Sequence, residues 1–288
     1  MRRALAAMTA ACAAAWTAPA LALPPVWTVT DADSTVVIFG SVHVLPEGLQ
    51  WRPFELDKAL ATADDIWFEI PLDAASGVAA QRESTTYGFL PEGRSLSALL
   101  SKTGRARLAK VAEALEIPLG RLDRMRPWYA ELTLSSALYR ESGAAPAQGV
   151  EQSLARSAPK AERRAFETPA DQVGFFANAP ITDQIASLEQ TLKQIDQRPG
   201  DYQALVRAWM AGDTGALDRE AVKPLKKAAP RLYRLLVAER NARWADTIAA
   251  RMAGSGRTVV VVGVGHLVGK DSLPARLRAK GLKVEGPT

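Results

Sequence analysis

The chain has one cysteine, Cys12, and only two histidines, His43 and His266, among its 288 residues. Tyrosine (5) and methionine (5) are also scarce, so histidine is the main candidate left for a haem ligand. Beyond the N-terminal segment no apolar run is long enough to span a bilayer. The charge excess is small, +5 over the whole chain. Lysine and arginine are spread along helical stretches, the pattern of solvated helix faces, which argues against a nucleic-acid surface.

The N-terminus reads as an export signal. Arg2 and Arg3 precede an uncharged apolar stretch from Ala4 to Ala18. Ala20-Leu21-Ala22 is then an A-x-A cleavage site, followed by Pro24 and Pro25. Cleavage is expected after Ala22, with delivery to the periplasm or the medium. It removes Cys12, so the mature chain has no disulfide and no thiol chemistry, although export permits disulfides. Stability must then rest on an ordinary core. Loss of Arg2 and Arg3 lowers the net charge by two, to +3. Residues 23–288 are expected to form one domain.

Val26 to Thr30 and Thr35 to Phe39 read as two strands around the polar turn Asp31-Ala32-Asp33-Ser34. A helix is expected from Pro53 to Ala63 and a third strand over Asp65 to Ile70. The middle, about 90–235, patterns as helix: Gly104 to Leu115, Pro127 to Tyr139, Pro169 to Phe176, Ile181 to Ile195 and Asp201 to Ala211. Arg163 to Phe166 is its one weak strand. A helix over Arg231 to Met252 leads to strands at Thr258 to Val262 and Leu282 to Glu285, with a helix over Ser272 to Lys280 between them. The expected fold is α/β: a mixed central sheet from about 24–72 and 236–286, with a large helical insertion packed on it.

Both histidines sit in copies of one motif. Thr35-Val36-Val37-Ile38-Phe39-Gly40-Ser41-Val42-His43 matches Thr258-Val259-Val260-Val261-Val262-Gly263-Val264-Gly265-His266. A strand apolar on both faces belongs inside a sheet covered on both sides. Gly40 and Gly263 would end the strands, where glycine permits close approach. The histidines would project just beyond, where ligands gather in open α/β sheets. Ser41 and Gly265 lie inside the two motifs and would shape the same pocket. Glu69 ends the apolar run Ile66-Trp67-Phe68, where a carboxylate is costly unless paired or bound to a cation. Its partner is either a metal or an arginine. Two histidines and a glutamate form a ligand set for catalytic zinc and related metals. Arg240 and Asn241 follow Glu239 on a helix; Arg240 could hold a substrate carboxylate or oxyanion, and a solvated helix face is the simpler reading. Glu167 is a similar case, and Trp128 reads as core.

These residues resemble the TraB/GumN family, a grouping that includes PrgY and the Tiki proteins. The resemblance rests on Gly40-Ser41-Val42-His43, Gly263-Val264-Gly265-His266 and Glu69. Leu90-Pro91-Glu92-Gly93 with Ser95-Leu96, Arg126-Pro127-Trp128, Glu167-Thr168, Glu239-Arg240-Asn241 and Gly265-His266-Leu267-Val268-Gly269 add to it. It runs from about Val26 to Val284. Where many bacterial members have Gly-Val-Asp, this chain has Gly149-Val150-Glu151, a lengthened acid. The resemblance implies a fold related to erythromycin esterase and the haem-binding lipoprotein ChaN. It also implies metal-dependent peptide-bond hydrolysis and makes Arg240 and Asn241 site residues.

The leading expectation is an exported peptidase or amidase acting on a peptide or small amide or ester. His43, His266 and Glu69 would hold a divalent ion such as Mn, Co or Zn, and water on it would attack a carbonyl. Arg240 or Asn241 would steady the oxyanion. One alternative is a metal-free hydrolase in which a histidine is a general base oriented by Glu69. Another is a non-enzymatic protein that binds a metal or haem.

Overall fold

Alternating side chains along the two motif strands explain the architecture. Val37 and Phe39 face one apolar core, Val36 and Ile38 the other. Val259 and Val261 share the first core, Val260 and Val262 the second. Each strand is therefore buried on both faces, which requires a central place in a covered sheet. The coordinates are a computed structural model that describes residues 23–287 apart from residues 159 and 199. The expected export signal and its cleavage point after Ala22 lie outside the described residues.

The N-terminal part runs β1 (Val26–Thr30), β2 (Ser34–Ser41), β3 (Leu45–Pro46), α1 (Phe54–Thr62), β4 (Asp65–Phe68) and α2 (Ala74–Tyr87). The helical middle runs α3 (Leu96–Leu99), α4 (Lys102–Ala114), α5 (Leu119–Asp123), α6 (Pro127–Glu141), β5 (Ala144–Ala145), α7 (Val150–Ser157) and β6 (Glu162–Ala165). It continues through α8 (Pro169–Ala177), α9 (Ile181–Gln197), α10 (Asp201–Met210), α11 (Thr214–Leu217), α12 (Lys223–Ala228) and α13 (Pro230–Tyr233). The chain ends with α14 (Glu239–Met252), β7 (Gly256–Gly263), α15 (Leu273–Ala279) and β8 (Val284–Glu285).

Six strands form one sheet in the order β6-β4-β7-β2-β1-β8. The four strands β6, β4, β7 and β2 are parallel to one another, and β1 is antiparallel to both β2 and β8. The mixed sheet expected from the sequence is present. The two motif strands are neighbours, but one residue out of step: Gly40 pairs with Val262 and Ser41 with Gly263. The parallel order places the carboxyl ends of all four strands on one edge. A separate two-stranded ribbon pairs β3 with β5.

The helical middle packs partly on itself. Leu96, Leu108, Leu122, Leu134, Leu188 and Leu192 form a core of their own, away from the sheet. The helix expected over Arg231 to Met252 is instead α13, a π-helical turn over Arg234–Ala238, and α14. Helix α2 has no sequence counterpart in the expected pattern, because none of its residues is buried. Helix α7 was likewise absent from the expectation.

Candidate active site

Each of the four parallel strands leads into a polar residue at the common edge. β2 is followed by His43, β4 by Glu69, β6 by Glu167, and β7 by a 3-10 turn, Val264–His266, that ends in the second histidine. The convergence is tightest at Gly263. A methyl group added there would lie 3.2 Å from Glu69 Oε1, 3.6 Å from His43 Nε2 and 3.8 Å from His266 Cδ2. Gly40 serves a different purpose. A side chain there would meet Val264 Cγ2 at 3.0 Å and Leu267 Cδ1 at 3.2 Å, so its absence lets the second motif's turn pack on β2. Ser41 is buried at the end of β2, and Gly265 stands inside the 3-10 turn.

Behind the edge lies a buried ion network. Glu69 Oε1 accepts from the Gly263 backbone N–H at 2.7 Å. Its Oε2 accepts from Arg240 Nη2 at 2.5 Å and from Gln172 Nε2 at 3.0 Å. Arg240 also donates through Nε and Nη2 to Glu167, at 2.9 and 2.8 Å, and through Nη1 to the Leu236 carbonyl at 3.1 Å. Its second Nη1 hydrogen faces His266 Nε2 at 3.1 Å. The guanidinium lies 4.6 Å over the Trp244 ring, and Trp244 Nε1 donates to Glu167 at 3.0 Å. Arginine suits this position because its planar fork meets two carboxylates at once. On Glu69, the arginine partner left open by the sequence is the one present.

Asn241 sets the tautomer of His266. Its amide nitrogen donates to the carbonyls of His266 at 3.0 Å and Asp271 at 2.9 Å. Its oxygen is therefore the acceptor facing His266 Nδ1 at 2.7 Å, so Nδ1 carries the proton and Nε2 the lone pair. Burial drives His266 down to about 3; Glu69 opposes this, and Arg240 and His43 add to it. His266 is neutral at pH 7.

His43 is the opposite case. Its side chain is 68 % exposed, and Nδ1 lies 2.6 Å from Glu151 Oε1. The Glu151 charge raises it to about 9, and because the ring is largely exposed, solvent screens part of that effect. Burial pushes Glu69 up, but Arg240 outweighs it, with help from both histidines, and holds the carboxyl at about 2. The Glu151 contact assigns a role to the lengthened acid of Gly149-Val150-Glu151, which stands in the first turn of α7.

Of the expected site residues, His43 and Glu69 line a cavity of about 300 Å³ together with Glu151 and Gln172. His266, Arg240, Asn241 and Glu167 are buried behind it. Glu239 is exposed on α14, away from the network. Arg240 and Asn241 were expected to donate to an oxyanion, but every side-chain N–H of Arg240 is engaged, and Asn241 is fully buried with its amide spent on two carbonyls. Gln172 was missed. Its placement follows from local chemistry: Thr168 and Asp171 close a capping box on α8, with Pro169 in the first turn, and this aims the first turn of the helix at Glu69. Thr168-Pro169-Ala170-Asp171 was the available signal.

The donor set expected for a metal does not fit one as arranged. The lone pair of His266 Nε2 and Glu69 Oε2 both face Arg240, and Glu69 Oε1 is held by Gly263. Of these donor atoms, only His43 Nε2 has no hydrogen-bond partner among the described residues. Among the described residues, no group of three or more His, Cys, Asp or Glu side chains is placed to hold a metal ion. No described helix is long and apolar enough to cross a membrane.

Comparison with known proteins agrees with the motif pattern. The chain is similar to Uncharacterized protein YbaP of Escherichia coli (strain K12), at 22% identity over 243 residues, covering 84% of this chain and 87% of that protein. The protein of the same name from Shigella flexneri matches to the same extent. No solved structure matches. The TraB/PrgY/gumN family profile matches residues 25–286, nearly the whole chain, and the chain therefore belongs to that family.

Proposed function

We propose that the strand-edge cavity is the reaction centre of an exported hydrolase that cleaves a small amide, peptide or ester with water and without a metal. The observation that carries this reading is the His43–Glu151 pair, facing Glu69 beside Gly263. A histidine whose Nδ1 is tied to a carboxylate presents Nε2 to whatever lies in front of it. Neutral His43 is a minority at pH 7 and becomes the majority above about pH 9, so the proposed activity rises with pH through that range. In the neutral fraction, water in the cavity would give its proton to His43 Nε2 as its oxygen bonds to the substrate carbonyl carbon. The carbon–nitrogen or carbon–oxygen bond then breaks, and the proton on His43 passes to the leaving group. Gln172 keeps one N–H beyond its bond to Glu69 and would donate to the developing oxyanion. Arg240, His266, Asn241 and Glu167 act as positioning residues that hold Glu69 ionised and fixed.

A second reading is favoured by the approach of both imidazoles and Glu69 to one point. There a divalent ion would be held by His43, His266 and Glu69, and Arg240 would have to leave His266 Nε2 to admit it. A panel of chromogenic esters, anilides and short peptides tests hydrolysis. Turnover by the wild type that His43→Ala removes supports the reading, and turnover that survives in His43→Ala refutes it. Elemental analysis of the same active sample separates the two readings: stoichiometric metal, lost in the His43→Ala, His266→Ala double variant, favours the second.

A further inference from the structure

His43 is also part of the wall of a second cavity, about 380 Å³, on the helical side of the site. The walls there are mostly apolar. Trp128 and Leu132 come from α6, Phe176 from α8, and Leu232 and Leu236 from the run that leads into α14. One acidic group interrupts them, Glu131 of α6, while the charge of His43 at the other end is already met by Glu151. Glu131 also lines a third cavity of about 300 Å³, so it stands at the partition between the two. Its Oε1 accepts from Ser187 Oγ at 2.9 Å and Thr191 Oγ1 at 2.7 Å. Both hydroxyls come from α9, and Oε2 has no hydrogen-bond partner among the described residues. No basic side chain acts on this carboxylate among the described residues. Farther into the third cavity, Asp201 and Glu220 share a single cation, Arg198. Three carboxylates against one guanidinium leave this region short of positive charge.

A carboxylate among apolar walls is costly unless something cationic meets it. Burial pushes Glu131 up to about 7, with Thr191 and Ser187 opposing, so at neutral pH the group is poised between its two forms. A ligand bearing an ammonium would complete what the protein leaves unmade, a charge-assisted hydrogen bond to Oε2. Its apolar body would cover the Trp128, Phe176 and Leu236 wall and lead to His43.

We infer that the cavity between His43 and Glu131 is the substrate-recognition pocket of this site, and that Glu131 selects a protonated amine carried on an apolar group. Resting on the hydrolase reading, this makes the preferred substrates amides or esters with an apolar, amine-bearing portion.

Binding tests the pocket separately from chemistry. The probes are 4-phenylbutylamine and its neutral counterpart 4-phenylbutan-1-ol, titrated calorimetrically into the full chain. The amine is expected to bind at least about tenfold more tightly, as one charge-assisted hydrogen bond allows. Glu131→Gln should remove that preference while leaving the alcohol unchanged. Equal affinity for the two probes, a preference that survives Glu131→Gln, or no binding of the amine would each overturn the pocket. The wild-type comparison stands by itself if the variant fails to fold. Turnover is read in parallel on paired substrates with and without an ammonium group. Amine-selective binding with no hydrolysis keeps the pocket and sinks the hydrolase reading. Hydrolysis with no amine preference does the reverse.

Discussion

The charge of an imidazole is set by what faces its two nitrogens, and the two histidines here face opposite surroundings. His43 meets the carboxylate of Glu151 and is raised to about 9, whereas burial takes His266 down to about 3. Because His43 rises from 6.5 to about 9 on folding, its contribution to stability is complete below pH 6.5 and is lost as pH climbs through about 9. Glu151→Gln removes the charge that causes the rise. The His43 titration should then move down toward 6.5, and the ascending limb of hydrolysis should move with it, since the base form appears at lower pH. NMR titration of the two imidazoles reads this directly, and an unchanged His43 curve would show that Glu151 does not set its charge. Arg240 poses a different problem, because two buried carboxylates depend on it. Arg240→Ala leaves both without their cation, a loss of about 3–5 kcal/mol for a broken buried pair, or roughly 10 °C in melting temperature. Arg240→Lys should recover only part of this, because an ammonium lacks the planar fork. A thermal melt in which the alanine variant matches wild type would show that the network adds nothing to stability.

At the scale of elements, the parallel pairing of β2 with β7 converts a repeated motif into an asymmetric site. The one-residue offset pairs Ser41, not Gly40, with Gly263. β2 therefore extends one residue past its motif glycine and ends level with Gly263, the last residue of β7. Beyond that level the first histidine is exposed and the second is buried in its 3-10 turn. Gly40 makes this possible by admitting Val264 and Leu267 against the strand. Gly40→Val should force those contacts apart and cost about 1–3 kcal/mol by overpacking. It should also lower turnover, since the turn carries His266; wild-type melting and activity in this variant would contradict the packing role. Such strands are legible in a sequence because burial on both faces leaves an unbroken β-branched run. Helix α2 was not legible for the converse reason, since with no buried residue it carries no apolar period. The π-helical turn over Arg234–Ala238 breaks a helix that reads as continuous, and it lies just before Arg240.

At the scale of the molecule, the fold class follows from the position of the apolar runs near the two ends of the chain and the helical middle between them. The convergence of His43, His266 and Glu69 could be anticipated because the motif repeats. The His43–Glu151 contact could not, because it joins residues 108 positions apart: each stands in a marked motif, but nothing in either motif names the other as its partner. The N-terminal segment gives a prediction for the whole protein in the cell: the mature chain should begin at Leu23 and be found in the periplasm or medium. Intact Met1 to Ala22 on the cellular protein, seen by mass spectrometry, would refute cleavage. The central claim is that His43, held by Glu151, activates water at the strand edge without a metal. Its most direct test is turnover of the ester, anilide and peptide panel by chelator-treated, metal-free protein, beside His43→Ala prepared in the same way. Hydrolysis by the metal-free wild type, abolished in the variant, is the expected result. Activity that disappears on metal removal and returns when a divalent ion is added would contradict it.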